Sequence, residues 1–435
     1  MTSLSHNIAW NTLVQVGGKI ATTTLGVIIT IFLTRYLGPA GFGSFTFILV
    51  FVAMFGTVAD WGLTLITVRE ASRNTNISHE VIGNVLVIRF LLAAAAAAIA
   101  TGAIYLFPYD PAVKLLVVLA SLSLISLSLK TSFQIIFNVK LRMENSALSD
   151  FSSNALTLLV VLVVIYFDLG LTGVVLAFLA GDFFAAFVAA FLGFRLLPLK
   201  LSLVHPETKF LLLESLPMGA ILVVFTIYNR IDTVILSHFK GQEAVGYYGA
   251  AYRIYEVLTL GAAYFSNAVL PLISNLAKTD KAKLSLVYRK SFVVLFFLGV
   301  GVAAVNFLLA PLGITLIAGQ KFAASIHALQ ILSLAVVVSY FNHLNGYTLI
   351  ALGRQWYSFI IAILALVLNI TLNVIFIPRF SFYGAAFITF LTEGFIVLCT
   401  LVILQRLIRL NPQLFDLVSI PREFLAKRGR IFDEW

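Results

Sequence analysis

The chain of 435 residues is 60% hydrophobic and 11% charged, with a mean hydropathy of +1.02. That leaves too little polar surface to cover a water-soluble body of this length. Its formal charge of +10 is read here as a membrane-orientation signal and not as a nucleic-acid footprint, and a single cysteine, Cys399, excludes an internal disulfide framework and a cysteine-based metal centre.

Apolar runs of membrane-crossing length, about 20 residues each, follow one another almost end to end. The first six are expected at 8–36, 42–67, 81–107, 113–137, 148–167 and 171–195, and the second six at 211–237, 248–275, 291–318, 325–351, 357–377 and 383–408. The runs are continuously apolar, which predicts helices; barrel strands would alternate. Run 8–36 has no basic segment before it and exceeds a signal-peptide core, so it is expected to be a retained helix in a chain beginning near Met1.

Orientation follows from basic residues. With both termini in the cytoplasm, nineteen Lys and Arg fall on the cytoplasmic side, five in the opposite connections and five within the runs. The positive-inside rule selects that arrangement, and an even number of crossings satisfies it.

The two halves carry an internal repeat. Leu33 to Phe45 reads LTRYLGPAGFGSF and Leu236 to Tyr248 reads LSHFKGQEAVGYY, so that Gly38 and Gly43 correspond to Gly241 and Gly246. Gly173 and Asp182 have the same spacing as Gly384 and Glu393, and Arg142 and Arg354 close equivalent runs. Repeats of this kind build secondary transporters around a central pathway. The longest expected connections, 196–210 and 276–290, are too short for a catalytic domain. Val16-Gly17-Gly18-Lys19 lacks the upstream glycine and following hydroxyl of a phosphate-cradling loop, and no H-E-x-x-H pair occurs. No catalytic residue, metal site or cofactor is expected.

Charges inside the runs are the candidate functional residues, because an ionised group at the bilayer centre costs about 2.5–3.5 kcal/mol and needs a partner or a watery cleft. Lys19, Asp182 and Glu393 fall near mid-membrane, Asp60, Arg89 and Lys130 toward the cytoplasm, and Arg230, Asp232, Arg253 and Glu256 toward the outside. Each has a structural alternative. Asp60 can pair with Arg89 on a neighbouring run, Arg253 and Glu256 share one helix face, Lys19 can reach Asp182, and Lys130 can snorkel. Arg230 and Asp232, two apart, cannot pair on a regular helix and each needs another partner. Asn342, His343 and Asn345 form a polar cluster suited to sugar hydroxyls or a coupling proton, or to packing alone. Asn369 and Asn373, four apart, are expected to bond neighbouring helices. Cations at every depth favour an anionic cargo over a cationic drug.

Leu368 to Glu393, LNITLNVIFIPRFSFYGAAFITFLTE, closely resembles the eleventh and twelfth helices of Wzx-type oligosaccharide flippases of the multidrug/oligosaccharidyl-lipid/polysaccharide exporter superfamily. Arg230-Ile231-Asp232 with Val245-Gly246-Tyr247-Tyr248, and Asp60-Trp61-Gly62-Leu63 with Val68-Arg69-Glu70, resemble two further segments of that family. The resemblance implies an all-α integral membrane protein with a MATE-like fold of about twelve transmembrane helices, its two six-helix lobes flanking a cavity that opens alternately to each side. The lobes are expected at 1–200 and 201–410, with a basic amphipathic tail at 411–435 lying along the inner leaflet.

On this reading the chain translocates a polyprenyl-diphosphate-linked oligosaccharide across the plasma membrane for polysaccharide biosynthesis. Its partners are that glycan lipid, membrane lipids, and a polysaccharide polymerase and glycosyltransferases, with no nucleic acid. Lys19, Arg89, Lys130, Arg230 and Arg253 are the candidate cationic binders, and Asp60, Asp182, Asp232 and Glu393 are candidates for coupling H+ or Na+. Relatives that move the peptidoglycan lipid precursor carry further C-terminal helices, so their absence here points to another polyprenyl-linked glycan. The alternatives are a cation-coupled multidrug antiporter of the same superfamily and a membrane-embedded glycan polymerase or ligase.

Overall fold

The computed structural model describes residues 2–64, 66–68, 79–197 and 206–408, and among these it contains helices and turns but no strand. The expected tail at 411–435 and the motif residues Arg69 and Glu70 lie outside the described residues. In chain order the helices are α1 (Thr2–Asp60), α2 (His79–Ile104), α3 (Pro111–Ser121), α4 (Ser123–Val139), α5 (Met143–Tyr166), α6 (Gly170–Leu196), α7 (Pro206–Tyr228), α8 (Ile231–Thr279), α9 (Lys281–Ile317), α10 (Ser325–Ala351) and α11 (Gln355–Ile408).

Among the described residues, nine helical stretches are long and apolar enough to cross a membrane. Three of them, Val14–Asp60, Lys209–Thr279 and Gln355–Ile408, hold 47, 71 and 54 residues. At 1.5 Å per residue each is about twice the hydrocarbon thickness or more, so each must cross twice. Near the required turn each has a residue of non-helical backbone, Gly38 (φ 66°, ψ −178°), Gly241 (φ 77°, ψ −176°) or Ser381 (φ 53°, ψ −141°), and the second stretch is also interrupted at 229–230. Dividing the stretches at Gly38, Gly241 and Ser381 yields twelve segments, the number expected from hydropathy. Gly38 and Gly241, paired by the repeat, share one left-handed conformation that a side chain would strain.

Two expectations about connections change. The 276–290 connection is almost entirely helical: α8 runs to Thr279 and α9 starts at Lys281, with Asp280 between them. The Asp280 carboxylate accepts the N–H groups of Ala282 (2.9 Å) and Lys283 (3.0 Å), satisfying two of the orphan donors at the start of α9. The second run is also not one uninterrupted helix, because Trp61 (φ 47°) and Gly62 (φ 73°) break it directly after Asp60.

The chain forms two compact units. The first comprises 2–237 with 241–246 and 317–319, and the second 238–240, 247–316 and 320–408, within the described residues. In the first unit, Val81 and Val85 on one face of α2 pack with Leu63, Ile66, Ile135 and Leu211. The adjacent face presents Ile82 to Phe133, Ile136, Phe137, Ala189 and Leu197. Small residues bring the helices close, as expected where lipid supplies no hydrophobic drive between them. A Cβ on Gly181 of α6 would lie 2.0 Å from the Thr157 hydroxyl of α5, and the Ser149 hydroxyl donates to the Ala185 carbonyl across the same pair (2.9 Å).

In the second unit, Tyr340 of α10 reaches α8, where its hydroxyl donates to the Leu258 carbonyl (3.0 Å), while its ring packs on Gly299 of α9. Phe292 and Phe341 stack at 4.3 Å.

The repeat extends to helix ends. Leu141 (φ 54°) and Gly353 (φ 67°) occupy equivalent left-handed positions after α4 and α10. The following N–H groups, of Arg142 and Arg354, each return to a carbonyl five residues back, Phe137 and Leu349, at 2.8 Å. Both are Schellman caps, which satisfy the last carbonyls of a helix.

Candidate functional site

In the first unit the break after Asp60 fixes an ionic cluster. Asp60 ends the regular part of α1, and Trp61–Gly62 pack against α7, where a Cβ on Gly219 would lie 2.9 Å from the Trp61 carbonyl oxygen. Arg89 of α2, only 1% exposed, pairs with the Asp60 carboxylate at 2.8 Å and donates to the hydroxyls of Thr64 (2.7 Å) and Thr131 (2.6 Å). Thr64 in turn donates to Asp60 at 2.5 Å. The pairing of Asp60 with Arg89 offered by the sequence is thus present. Thr64 and Thr131, which sequence reasoning missed, accept from the two terminal guanidinium nitrogens, while the buried Nε has no hydrogen-bond partner among the described residues.

A second charged group joins α4, α5 and α6. Lys130 pairs with Asp150 at 2.9 Å, and its charge also acts on Asp182. Sequence reasoning passed over Asp150, although an acid within the fifth apolar run was signal enough. Lys19 is exposed on α1 and makes no ion pair among the described residues, so the alternative pairing with Asp182 is not formed. Arg230 falls in the interruption between α7 and α8, and Asp232 lies in the first turn of α8. The Asp232 carboxylate is 4% exposed and accepts the N–H of Thr233 at 2.7 Å, where the helix dipole favours an anion.

Near the α1 turn, Tyr109 donates to the Ser237 hydroxyl (3.0 Å), which also accepts from Gln242 (3.0 Å). Tyr109 packs against Phe47 in a tilted arrangement at 4.6 Å, and burial pushes its phenol above the usual range. None of these three polar residues was singled out by sequence.

In the second unit, Asn342 of α10 donates to the Glu393 side chain and, at 3.1 Å, to the Glu393 carbonyl on α11. His343 turns its Nδ1 to the Ser339 carbonyl (2.9 Å). Asn345 accepts from Tyr288 of α9 (2.6 Å) and donates to Thr400 of α11 (2.8 Å). The three polar residues therefore point to different partners: Asn342 reaches the candidate coupling acid, whereas Asn345 ties three helices together. Asn369 donates to Thr392 across the Ser381 break (3.4 Å), the interhelical role expected, whereas Asn373 donates to Asn369 within one segment (2.8 Å). Arg253 is exposed and Glu256 half-buried, one helical turn apart on α8. Among the described residues no three His, Cys, Asp or Glu side chains converge as a metal site would require.

Comparison with known proteins adds family information to this geometry. The family described as "Polysaccharide biosynthesis protein" matches residues 6–277, and the MatE family matches residues 217–375. A protein of Haloferax volcanii described as a probable flippase, AglR, is 26% identical over 405 residues, covering 87% of this chain and 79% of its own. A structure of the lipid II flippase MurJ in an inward closed conformation superposes with a TM-score of 0.78 at 17% identity, covering 95% of this chain and 91% of that one. An inward-facing multidrug resistance MATE family transporter of the MOP superfamily gives a TM-score of 0.73 at 17% identity, covering 89% and 95%.

Proposed function

Since the chain belongs to the polysaccharide biosynthesis protein family of flippases, within the MOP superfamily, we propose that it moves a polyprenyl-diphosphate-linked oligosaccharide from the cytoplasmic to the outer face of the plasma membrane. The chain is a multi-pass membrane transporter and not an enzyme, which sets aside a glycan polymerase or ligase activity. The substrate reading rests on one observation: Lys19 is an exposed cation deep in an apolar helix with no acidic partner among the described residues. An ammonium at this depth is costly unless it faces a watery cleft or an anion, and a diphosphate passing through such a cleft is an anion it can serve.

The other cations divide by how far protein acids already serve them. Arg89 and Lys130 are held by Asp60 and Asp150, so they set the local field, while Arg230 and Arg253 are assigned to later stages of the route. Coupling to H+ or Na+ is assigned to Glu393 with Asn342, and to Asp182 beside Lys130. A polymerase and glycosyltransferases would act on the cargo before and after transfer.

The test is the leaflet distribution of polyprenyl-linked oligosaccharide in cells lacking this protein, read with an impermeant periodate or lectin probe. Accumulation on the inner face, corrected by the wild type but not by Lys19→Ala, is expected. The MatE match over 217–375 favours a second reading, a cation-coupled drug antiporter. A normal leaflet distribution with raised sensitivity to cationic dyes would select it.

A further inference from the structure

The second unit carries a groove of about 540 Å³ on the face of α9, closed on one side by Leu258 of α8. Its wall is a stripe at helical spacing, from Phe297 and Leu298 through Val305 and Leu309 to Leu316. Two glycines make its depth: a Cβ added at Gly301 or Gly313 would meet no atom within 4 Å. Asn306 also borders the groove, but its amide is already spent on the Ser333 hydroxyl (2.7 Å), so the lining is effectively apolar.

Length and charge decide what this groove fits. Residues 297 to 316 extend about 28 Å along the axis, close to the whole hydrocarbon thickness of about 30 Å. A phospholipid acyl chain belongs to one leaflet and reaches about 15 Å, half that thickness. A long isoprenoid chain can run the full length. At one end lies a cationic cluster. Lys278, Lys281 and Lys283 are exposed at the α8–α9 junction, with Arg289 and Lys290 between two and three turns further along α9. The nearby Asp280 is engaged by the N–H groups that start α9. Lys290 precedes Leu298 by about 12 Å of helix, so these cations lie beyond one end of the apolar stripe.

We propose that this groove is the binding site for the polyisoprenoid tail of a diphosphate-linked lipid, with the basic α8–α9 junction receiving the diphosphate as the lipid arrives. The proposal rests on the flippase reading above and adds where the tail travels while the headgroup crosses.

The experiment measures binding of undecaprenyl diphosphate, farnesyl diphosphate and phosphatidylglycerol to the full chain in lipid nanodiscs. The Gly301→Leu/Gly313→Leu variant fills the groove from its floor, and Leu309→Phe fills it from the wall should the first variant fail to assemble. Wild type is expected to prefer the long prenyl chain. Either variant should lose about tenfold in undecaprenyl diphosphate affinity, equivalent to roughly two buried methylenes, and less in farnesyl diphosphate affinity, because the short chain covers only about half of the groove. Retention of the chain-length preference in both variants would overturn the groove and leave the flippase reading intact. Displacement by phosphatidylglycerol as effective as by undecaprenyl diphosphate would also overturn it, marking an ordinary lipid contact. If wild type binds neither prenyl diphosphate, both the groove and the flippase reading fail.

Discussion

Gly43 and Gly246, equivalent positions of the internal repeat, interlock by their backbones within the first unit. A Cβ on Gly43 would lie 1.7 Å from the Gln242 carbonyl oxygen, and one on Gly246 would lie 2.0 Å from the Pro39 carbonyl oxygen. Neither obstacle is a movable side chain. Gly43→Ala or Gly246→Ala should therefore cost this arrangement about 1–3 kcal/mol, the usual penalty for overpacking. Because both relieve strain by the same separation, the double variant should cost less than the sum. Hydrogen exchange of 38–46 and 241–248 in nanodiscs checks this. Unchanged protection in the single variants would mean that the contact yields freely.

The interlock also shows what a linear reading reaches. The glycine pairs were visible because nothing else in two apolar runs repeats at that spacing, and the twelve segments followed from run length alone. What stayed hidden needed three dimensions. Asp150 meets Lys130 across α4 and α5, and Thr64, just beyond the break that ends α1, and Thr131 of α4 flank Arg89. Threonines in apolar runs look alike, and only packing selects the two that solvate a guanidinium. The helical 276–290 segment reads as a connection in the sequence because its lysines and arginines lower hydropathy, although such residues form helices well.

The Arg89 cluster predicts unequal effects from its two charged partners. Asp60→Asn leaves the guanidinium, 1% exposed, without a counter-charge and should cost about 3–5 kcal/mol, as breaking a buried pair does. Arg89→Ala strands only Asp60, which is 28% exposed and open to water, so the loss should be clearly smaller. Arg89→Lys should resemble the alanine variant, since an ammonium cannot span all three partners in a fork. Thermal unfolding in detergent ranks the three. Equal midpoints for Arg89→Ala and Asp60→Asn would contradict the assigned network.

The paired helix caps supply a stabilising substitution. Leu141 sits at φ 54°, where its counterpart in the other half of the repeat is Gly353 at φ 67°. A non-glycine residue there costs about 1–2 kcal/mol, so Leu141→Gly should recover about 1 kcal/mol after the added entropy of the unfolded glycine. Gly353→Leu should lose a comparable amount. Matched shifts of opposite sign in the unfolding midpoint are expected, and a destabilised Leu141→Gly would show that the leucine side chain contributes more than its backbone costs.

Asn345 offers the last separable test, because its two hydrogen bonds have different fallbacks. Thr400 also donates to the carbonyls of Ile396 (2.8 Å) and Val397 (3.0 Å), so it loses little if Asn345 is removed. Tyr288, fully buried, has the Asn345 oxygen as its acceptor at 2.6 Å. Asn345→Leu therefore strands the phenol hydroxyl, at about 1–3 kcal/mol. Adding Tyr288→Phe removes the stranded donor, so the double variant should regain part of that loss. A strictly additive result would mean that the tyrosine hydroxyl finds another acceptor once Asn345 is gone, and that the three-helix tie of α9, α10 and α11 depends on packing alone.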